Sequence, residues 1–342
     1  MTSAESPAAD GAGDSEEGLK NQCVMGKREL KVKKRFRRRY FQGGEVHHIY
    51  QRTVNRFNIF YDMEDYLVYY TIFAVAAGKC DVVVLGLCLM FDHIHMLLKA
   101  EEKAQMSEFV RMVTSMFARE QNNDLGRSGA LFQARFGSAA KIGLKQQRTA
   151  IAYLFNNPVE KALCPRAEEF RWNFLAYAIT THPFSDAIVT STASHRLRNA
   201  LKEVGAAKSE GRHLRYGQLR RMLNRLNERE RSQLVDYIIS VYNCIDYHFL
   251  TGCYGSYQDM LLAVNSNTGS EYDIKEERFR FSDMEYVRIA DILRREEGVR
   301  TLSEVTAAAI DEKFRLFDML RHKYSCYPQA IIKFLRMDVK KL

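Results

Sequence analysis

The hydrophobic pattern centres on Val82–Ala100 (VVVLGLCLMFDHIHMLLKA), two apolar runs joined at Met90-Phe91-Asp92. The second run carries His93 and His95 with one apolar residue between them. In an extended strand alternate residues share a face, so the two imidazoles project side by side, roughly 7 Å apart. Met96 and Leu98 then face the other way, into a core. Such a pair can share one divalent cation or can be two ordinary strand histidines, and the pattern alone leaves both readings open.

The elements around this hairpin follow from the same kind of pattern. Glu45–Val54 reads as a β-branched and aromatic strand with His48, Tyr50 and Arg52 on its even face, an odd set to point into a core. Asp62 opens a helix (DMEDYLVYYTIFAVAAGK) with an acidic first turn. Ser107 is expected to cap a second helix that runs to about Asn123, with Phe109, Val110, Val113, Met116 and Phe117 on one face. Leu131–Ile142 reads as a fourth strand broken near Gly137, and Lys145–Asn157 as a third helix stopped by Pro158.

The order β-α-β-β-α-β followed by a helix predicts an α+β fold, a ferredoxin-like split βαβ sandwich. In that topology the first and third strands are central neighbours. The face bearing His48 and Arg52 would then lie beside the face bearing His93 and His95.

The rest of the chain changes character. Cys164–His182 is irregular and holds the only tryptophan, Trp172, and the Ser/Thr-rich stretch Pro183–Ser194 reads as a linker. His195–Leu250 is helical and charged, with a basic stretch at Arg212–Arg225, and Asn265–Asp273 is a polar loop. From Phe281 the pattern is helical again. Ser303–Ala309, Glu312–His322 and Pro328–Leu335 form a short series that fits a helix-turn-helix, or equally a plain helical end. The expected organisation is a disordered acidic tail (1–26), a basic arm (27–44), a catalytic domain (45–182), a linker (183–194) and a mainly helical domain (195–342).

Composition narrows the partners. The 342 residues carry a formal charge of +9, which favours a polyanion, and nucleic acid over membrane. The run KRELKVKKRFRRR at 27–39 is either a solvated arm or a grip on phosphates through Lys33, Lys34, Arg35, Arg37, Arg38 and Arg39. Seven scattered cysteines without a CxxC pair argue for a reducing compartment and against a disulfide framework or zinc ribbon. The longest apolar run, Tyr66–Ala77, is too short to span a bilayer, and no apolar signal region opens the chain. These features fit a bacterial cytoplasm, with the protein associated with the nucleoid, or any other compartment that holds nucleic acid.

One more pair matters. Tyr153 and Asn157 lie four residues apart and so share a helical face. Each alone has a plain structural reading, as a half-buried tyrosine and as part of a helix stop. Together with the histidines they form an ordered set: His48–Arg52 (HIYQR), Met90–His95 (MFDHIH), Phe132–Phe136 (FQARF) and Tyr153–Val159 (YLFNNPV), with Phe170-Arg171-Trp172 beyond. This set resembles the single-tyrosine HUH transposases, most closely the REP-associated tyrosine transposases, over about residues 45–180. The chain departs from the family pattern at Phe91-Asp92, where the family has Pro-Asn.

The resemblance implies a chemistry. Tyr153 would attack a phosphodiester of single-stranded or hairpin DNA, leaving a 5′-phosphotyrosine and a free 3′-hydroxyl, with no need for ATP. A Mg²⁺ or Mn²⁺ ion would be held by His93 and His95, with the Asn157 side chain as oxygen donor. Arg52, Arg135 and His48 would contact phosphates. A DNA-binding regulator that keeps the fold without moving DNA is the alternative, while an RNA-binding ferredoxin-like domain lacks its aromatic motif. Whether the protein acts as a monomer or a homodimer is left open by the sequence.

Overall fold

The computed structural model describes residues 40–266 and 281–338, which fall within one compact unit, Arg39–Leu342. The acidic tail and the basic residues Lys33–Arg39 lie outside the described residues, as does most of the polar loop at 265–273. Four strands form one sheet: β1 (Val46–Arg52), β2 (Val83–Met90), β3 (His93–Lys99) and β4 (Gly137–Lys141). They stand in the order β2-β3-β1-β4, with every neighbouring pair antiparallel. Helices α1 (Met63–Cys80) and α2 (Lys103–Asp124) make the two crossovers, and α3 (Gly143–Glu160) follows β4. This is the ferredoxin-like split βαβ arrangement that the order of elements predicts.

Alternation along the strands divides the sheet into two faces. Ile49 pairs with Met96 and Gln51 with Ile94 on one face, whereas Tyr50 pairs with His95 and Arg52 with His93 on the other. Helix α1 is buried nearly all round, as expected of a helix apolar on every side. Phe73 packs edge-on against Phe109 of α2 on one flank, and Tyr70 donates to the Ile239 carbonyl at 3.2 Å on the other.

Three expected boundaries are corrected. Helix α2 starts at Lys103, because Glu102 and Gln105 close a capping box one turn ahead of Ser107. The expected fourth strand is shorter as a continuous element: Gly137–Lys141 forms β4, while residues 131–133 pair separately with the end of β1, Phe132 antiparallel opposite Thr53, through Val54 N–H to Leu131 O (2.9 Å) and Gln133 N–H to Arg52 O (2.9 Å). Pro158 lies inside α3, which forfeits one bond to the Leu154 carbonyl yet continues through Lys161 N–H to Asn157 O (3.1 Å).

The helical half comprises α4 (His195–Ser209), α5 (Tyr216–Leu223), α6 (Glu228–Val241), α7 (Tyr247–Tyr254), α8 (Tyr257–Asn265), α9 (Met284–Glu296), α10 (Ile310–Asp318) and α11 (Pro328–Phe334). Residues 184–187 lie along α6: Asp236 accepts from Phe184 N–H (3.0 Å) and Ser185 (2.9 Å), and Gln233 donates to the Asp186 carbonyl. Helix α11 turns Ala330, Ile331 and Phe334 inward, where Phe334 meets Tyr61 edge-on. Arg336 just beyond it donates to Asn58 O and to Gln121. Among the described residues no helix is long and apolar enough to cross a membrane.

Two predictions arise here. A Cβ on Gly137 would overlap the Tyr50 ring, which lies across β4 opposite it. Gly137→Ala should cost about 1–3 kcal/mol as that ring is forced aside. Most of the loss should return in the Gly137→Ala/Tyr50→Ala double variant, measured by urea denaturation.

The second prediction concerns Asp62, which accepts from Ser303 N–H (3.1 Å) and pairs with Arg294 (3.4 Å). Burial, with the charge of Asp65 next, pushes its carboxyl up from the ordinary 3.8 to about 7. The native state then holds a proton that the unfolded chain has lost, so this group's contribution to stability falls as pH rises from about 4 to about 7, by at most ~1.4 kcal/mol per unit. Asp62→Asn should flatten that part of the curve. Identical pH dependence of the urea midpoint in variant and wild type would refute the assignment.

Candidate active site

The second face of the sheet carries the chemistry, and α3 lies across it. His48, on β1, is fully buried, with its Nε2 3.0 Å from His95 Nδ1 on the neighbouring strand. The ring of Tyr153 on α3 touches both, with centroids 5.6 Å from His48 and 5.5 Å from His95. One turn further along α3, Asn157 places its amide Nδ2 3.4 Å from His95 Nε2. His93 stands beside His95 in an edge contact, centroids 4.9 Å apart. Side chains from two central strands and one helix thus converge on a single buried point.

Gly86 explains how α3 can lie so close. A Cβ there would already touch Leu154 and Phe155 at 3.4–3.5 Å, so the bulge in β2 between Val84 and Gly86 seats the helix. From the far side, α7 fixes the first turns of α3, with Tyr254 donating to the Arg148 carbonyl at 2.6 Å. Tyr153 is left 2% exposed and Asn157 0%. The site is closed.

His93 has its own support. Its Nδ1 is 2.6 Å from Asp92 Oδ1, and Asp92 faces Arg56 at 3.6 Å. Burial opposes ionisation of Asp92, but the hydrogen bond from His93 and the charges of Arg56 and Lys333 outweigh it and hold the carboxyl below its usual range. Arg56 reaches this position from a turn in which Asn55 and Arg56 both take left-handed backbone angles (φ 53° and 56°), a strain of about 1–2 kcal/mol per residue for L-residues. A carboxylate on Nδ1 fixes the tautomer and leaves the Nε2 lone pair available. That Nε2 is buried and, among the described residues, has no hydrogen-bond partner.

An orphaned, pre-oriented imidazole nitrogen fits a metal ligand. Among the described residues no group of three or more His, Cys, Asp or Glu side chains is arranged to hold an ion. The donor set here is two imidazoles and an amide, which leaves coordination positions for phosphate oxygens and water. The amide of Asn157 offers its oxygen to such an ion if rotated, since O and N of an amide are assigned by their hydrogen bonds.

The other expected residues fall at the rim. Arg52 is half-buried with its guanidinium 5.2 Å from the Tyr50 ring centre, and Arg135 is exposed in the segment before β4. Asp92 was legible only as a departure from a family pattern, and its role depends on the side chain reaching back to the histidine beside it. His47, adjacent to His48, points the other way and stacks on Phe41 at 4.8 Å, so only the strand register separates the two.

This is a split βαβ sheet with histidines on its central strand and a tyrosine helix across them, and likeness to a known family agrees with that class. Residues 45–157 match the family described as "Transposase IS200 like". A solved structure, a REP-associated tyrosine transposase bound to a REP hairpin, is similar at 15% identity and a TM-score of 0.35, covering 46% of this chain and 93% of that one. No curated protein matches.

Proposed function

We propose that the domain at 45–182 is a metal-dependent, single-strand-specific DNA nuclease and strand transferase of the REP-associated tyrosine transposase type. The observation that carries this reading is the meeting of Tyr153 with His48 and His95, beside a His93 Nε2 that is buried and, among the described residues, without a hydrogen-bond partner. A histidine pair serving only the core would have its polar atoms satisfied.

In the reaction, the Tyr153 hydroxyl oxygen attacks the phosphorus of a DNA phosphodiester. A Tyr–O–P bond forms and the P–O3′ bond breaks. The phenolic proton ends on the departing 3′-oxygen, giving a 5′-phosphotyrosine and a 3′-hydroxyl. Attack by a second 3′-hydroxyl reverses the step on another strand, with the bond energy kept. His93, His95 and the Asn157 oxygen would hold Mg²⁺ or Mn²⁺, which supplies Lewis-acid polarisation of a phosphate oxygen. Asp92 holds His93 in register, and His48 does the same for His95 rather than reaching DNA itself. Arg52 and Arg135 meet the flanking phosphates, and the arm at 27–39 grips the hairpin. Because Tyr153 is 2% exposed, strand entry requires α3 to lift from the histidine face.

That closure also favours a second reading, a DNA-binding regulator that keeps the fold with the site shut. The two part on one assay: the full chain with an end-labelled, hairpin-bearing single-stranded oligonucleotide in Mn²⁺. The enzyme cuts it and leaves a 3′-hydroxyl product. Tight binding without cutting at any Mn²⁺ or Mg²⁺ concentration would establish the regulator.

A further inference from the structure

The net charge is not spread evenly. Residues 27–39 hold nine Lys and Arg against one Glu, and residues 195–231 hold eleven against four. These two stretches exceed the net +9 of the whole chain, so the remainder is acidic. The second concentration lies beyond the segment matched by the transposase family, on helices α4 to α6.

Many of its arginines have structural duties. Arg220 forms a two-pronged pair with Asp124 (2.6 and 2.7 Å), and Arg229 pairs with Asp186 (2.9 Å). The face between α4 and α5 is different. There a groove of about 390 Å³ is lined by Arg196, Asn199, Glu203, Arg221, Asn224 and Arg225. The single acid, Glu203, is taken by Arg221. Arg196 donates to the Arg225 carbonyl at 3.2 Å, and among the described residues neither Arg196 nor Arg225 forms an ion pair with a carboxylate. Both are exposed, as are the two asparagines.

Two guanidiniums free of carboxylates, flanked by asparagine amides in a polar trough, match a run of phosphate oxygens. Arginine meets phosphate with a bidentate fork, and amide groups add neutral hydrogen bonds without choosing a base. A protein-binding groove of this volume would need apolar lining, and here Ala200 and Met222 supply the only apolar contacts.

We propose that the α4–α5 groove binds the phosphodiester backbone of DNA, as a second contact surface outside the transposase domain. This rests on the DNA reading given under Proposed function. It assigns the helical half a share of substrate grip that is independent of sequence and of the catalytic step.

The test uses the full chain, wild type and Arg196→Ala/Arg225→Ala, with a hairpin-bearing single-stranded DNA. Affinity is measured between 50 and 300 mM salt, and cleavage is measured in parallel. Taking away one arginine–phosphate pairing on a single strand lowers the slope of log K against log salt by about 0.7. The double variant should therefore lose about 1.4 in slope and roughly 10-fold in affinity at 0.1 M salt. Arg196→Lys/Arg225→Lys should recover most of the slope, and thermal unfolding should be unchanged in both variants because the side chains are exposed.

If wild type binds and cuts the DNA while the alanine variant keeps the same affinity and slope, the groove assignment is overturned and the enzymatic reading stands. If only binding to single-stranded RNA of the same sequence weakens, the groove serves another nucleic acid and the assignment to DNA is overturned. If wild type neither binds nor cuts, both readings fail together.

Discussion

Tyr153→Phe should fold as the wild type does and lose DNA cleavage by at least ~10³-fold. The ring does the packing: it fills the space between His48, His95 and the body of α3, and phenylalanine keeps that volume. Only one hydroxyl is removed, so the stability change should be about 1 kcal/mol or less. Chemistry has no such substitute. A phenylalanine ring carries no oxygen to attack phosphorus, and any remaining cutting must come from water.

DNA affinity should be within a few-fold of wild type, because the proposed grip lies in the arm, the rim arginines and the α4–α5 groove, all away from Tyr153. A variant that still cuts at the wild-type rate would mean that the tyrosine is a core residue and that the nucleophile lies elsewhere.

His93→Ala has the second largest expected effect, and its first readout is metal binding rather than turnover. With the Nε2 donor gone, the site keeps one imidazole and one amide, and Mn²⁺ affinity measured by titration calorimetry should fall about 100-fold. Cleavage should fall with it. The variant also leaves Asp92 buried beside Arg56 without its short hydrogen bond, so a stability loss of about 1–3 kcal/mol should accompany it.

His47→Ala is the control. His47 lies on the opposite face against Phe41, and its loss should leave Mn²⁺ affinity unchanged. Equal Mn²⁺ affinity in wild type and His93→Ala would remove the histidine pair from any metal site.

Much of this is readable in the sequence, and the reason is local. The two-residue period of a strand puts His93 and His95 on one face, the four-residue step of a helix puts Asn157 above Tyr153, and the order of strands and helices sets β1 beside β3. Those rules together bring His48 to His95. Less readable is whatever depends on where a side chain reaches or where a backbone bends.

Three residues show it. His48 is expected at a phosphate from the family resemblance, and it shares a strand face with Arg52, yet α3 covers the first and leaves the second at the rim. Asp92 bonds the residue next to it in sequence, a contact that no periodicity encodes. Pro158 is a standard helix stop, but the bonds from Lys161 and Leu163 carry α3 past it, which keeps Asn157 helical and aimed at His95. Closure of the site is also invisible in sequence, since it comes from α7 fixing α3, residues a hundred positions apart.

The most direct test of the central claim is to find where DNA attaches. The full chain is incubated with hairpin-bearing single-stranded DNA and Mn²⁺, denatured in SDS, digested with protease and nuclease, and the modified peptide is sequenced by mass spectrometry. The account predicts a 5′-phosphonucleotide on the oxygen of Tyr153 and its absence in Tyr153→Phe. An adduct on any other residue, or cleavage that proceeds with no adduct at all, would contradict it.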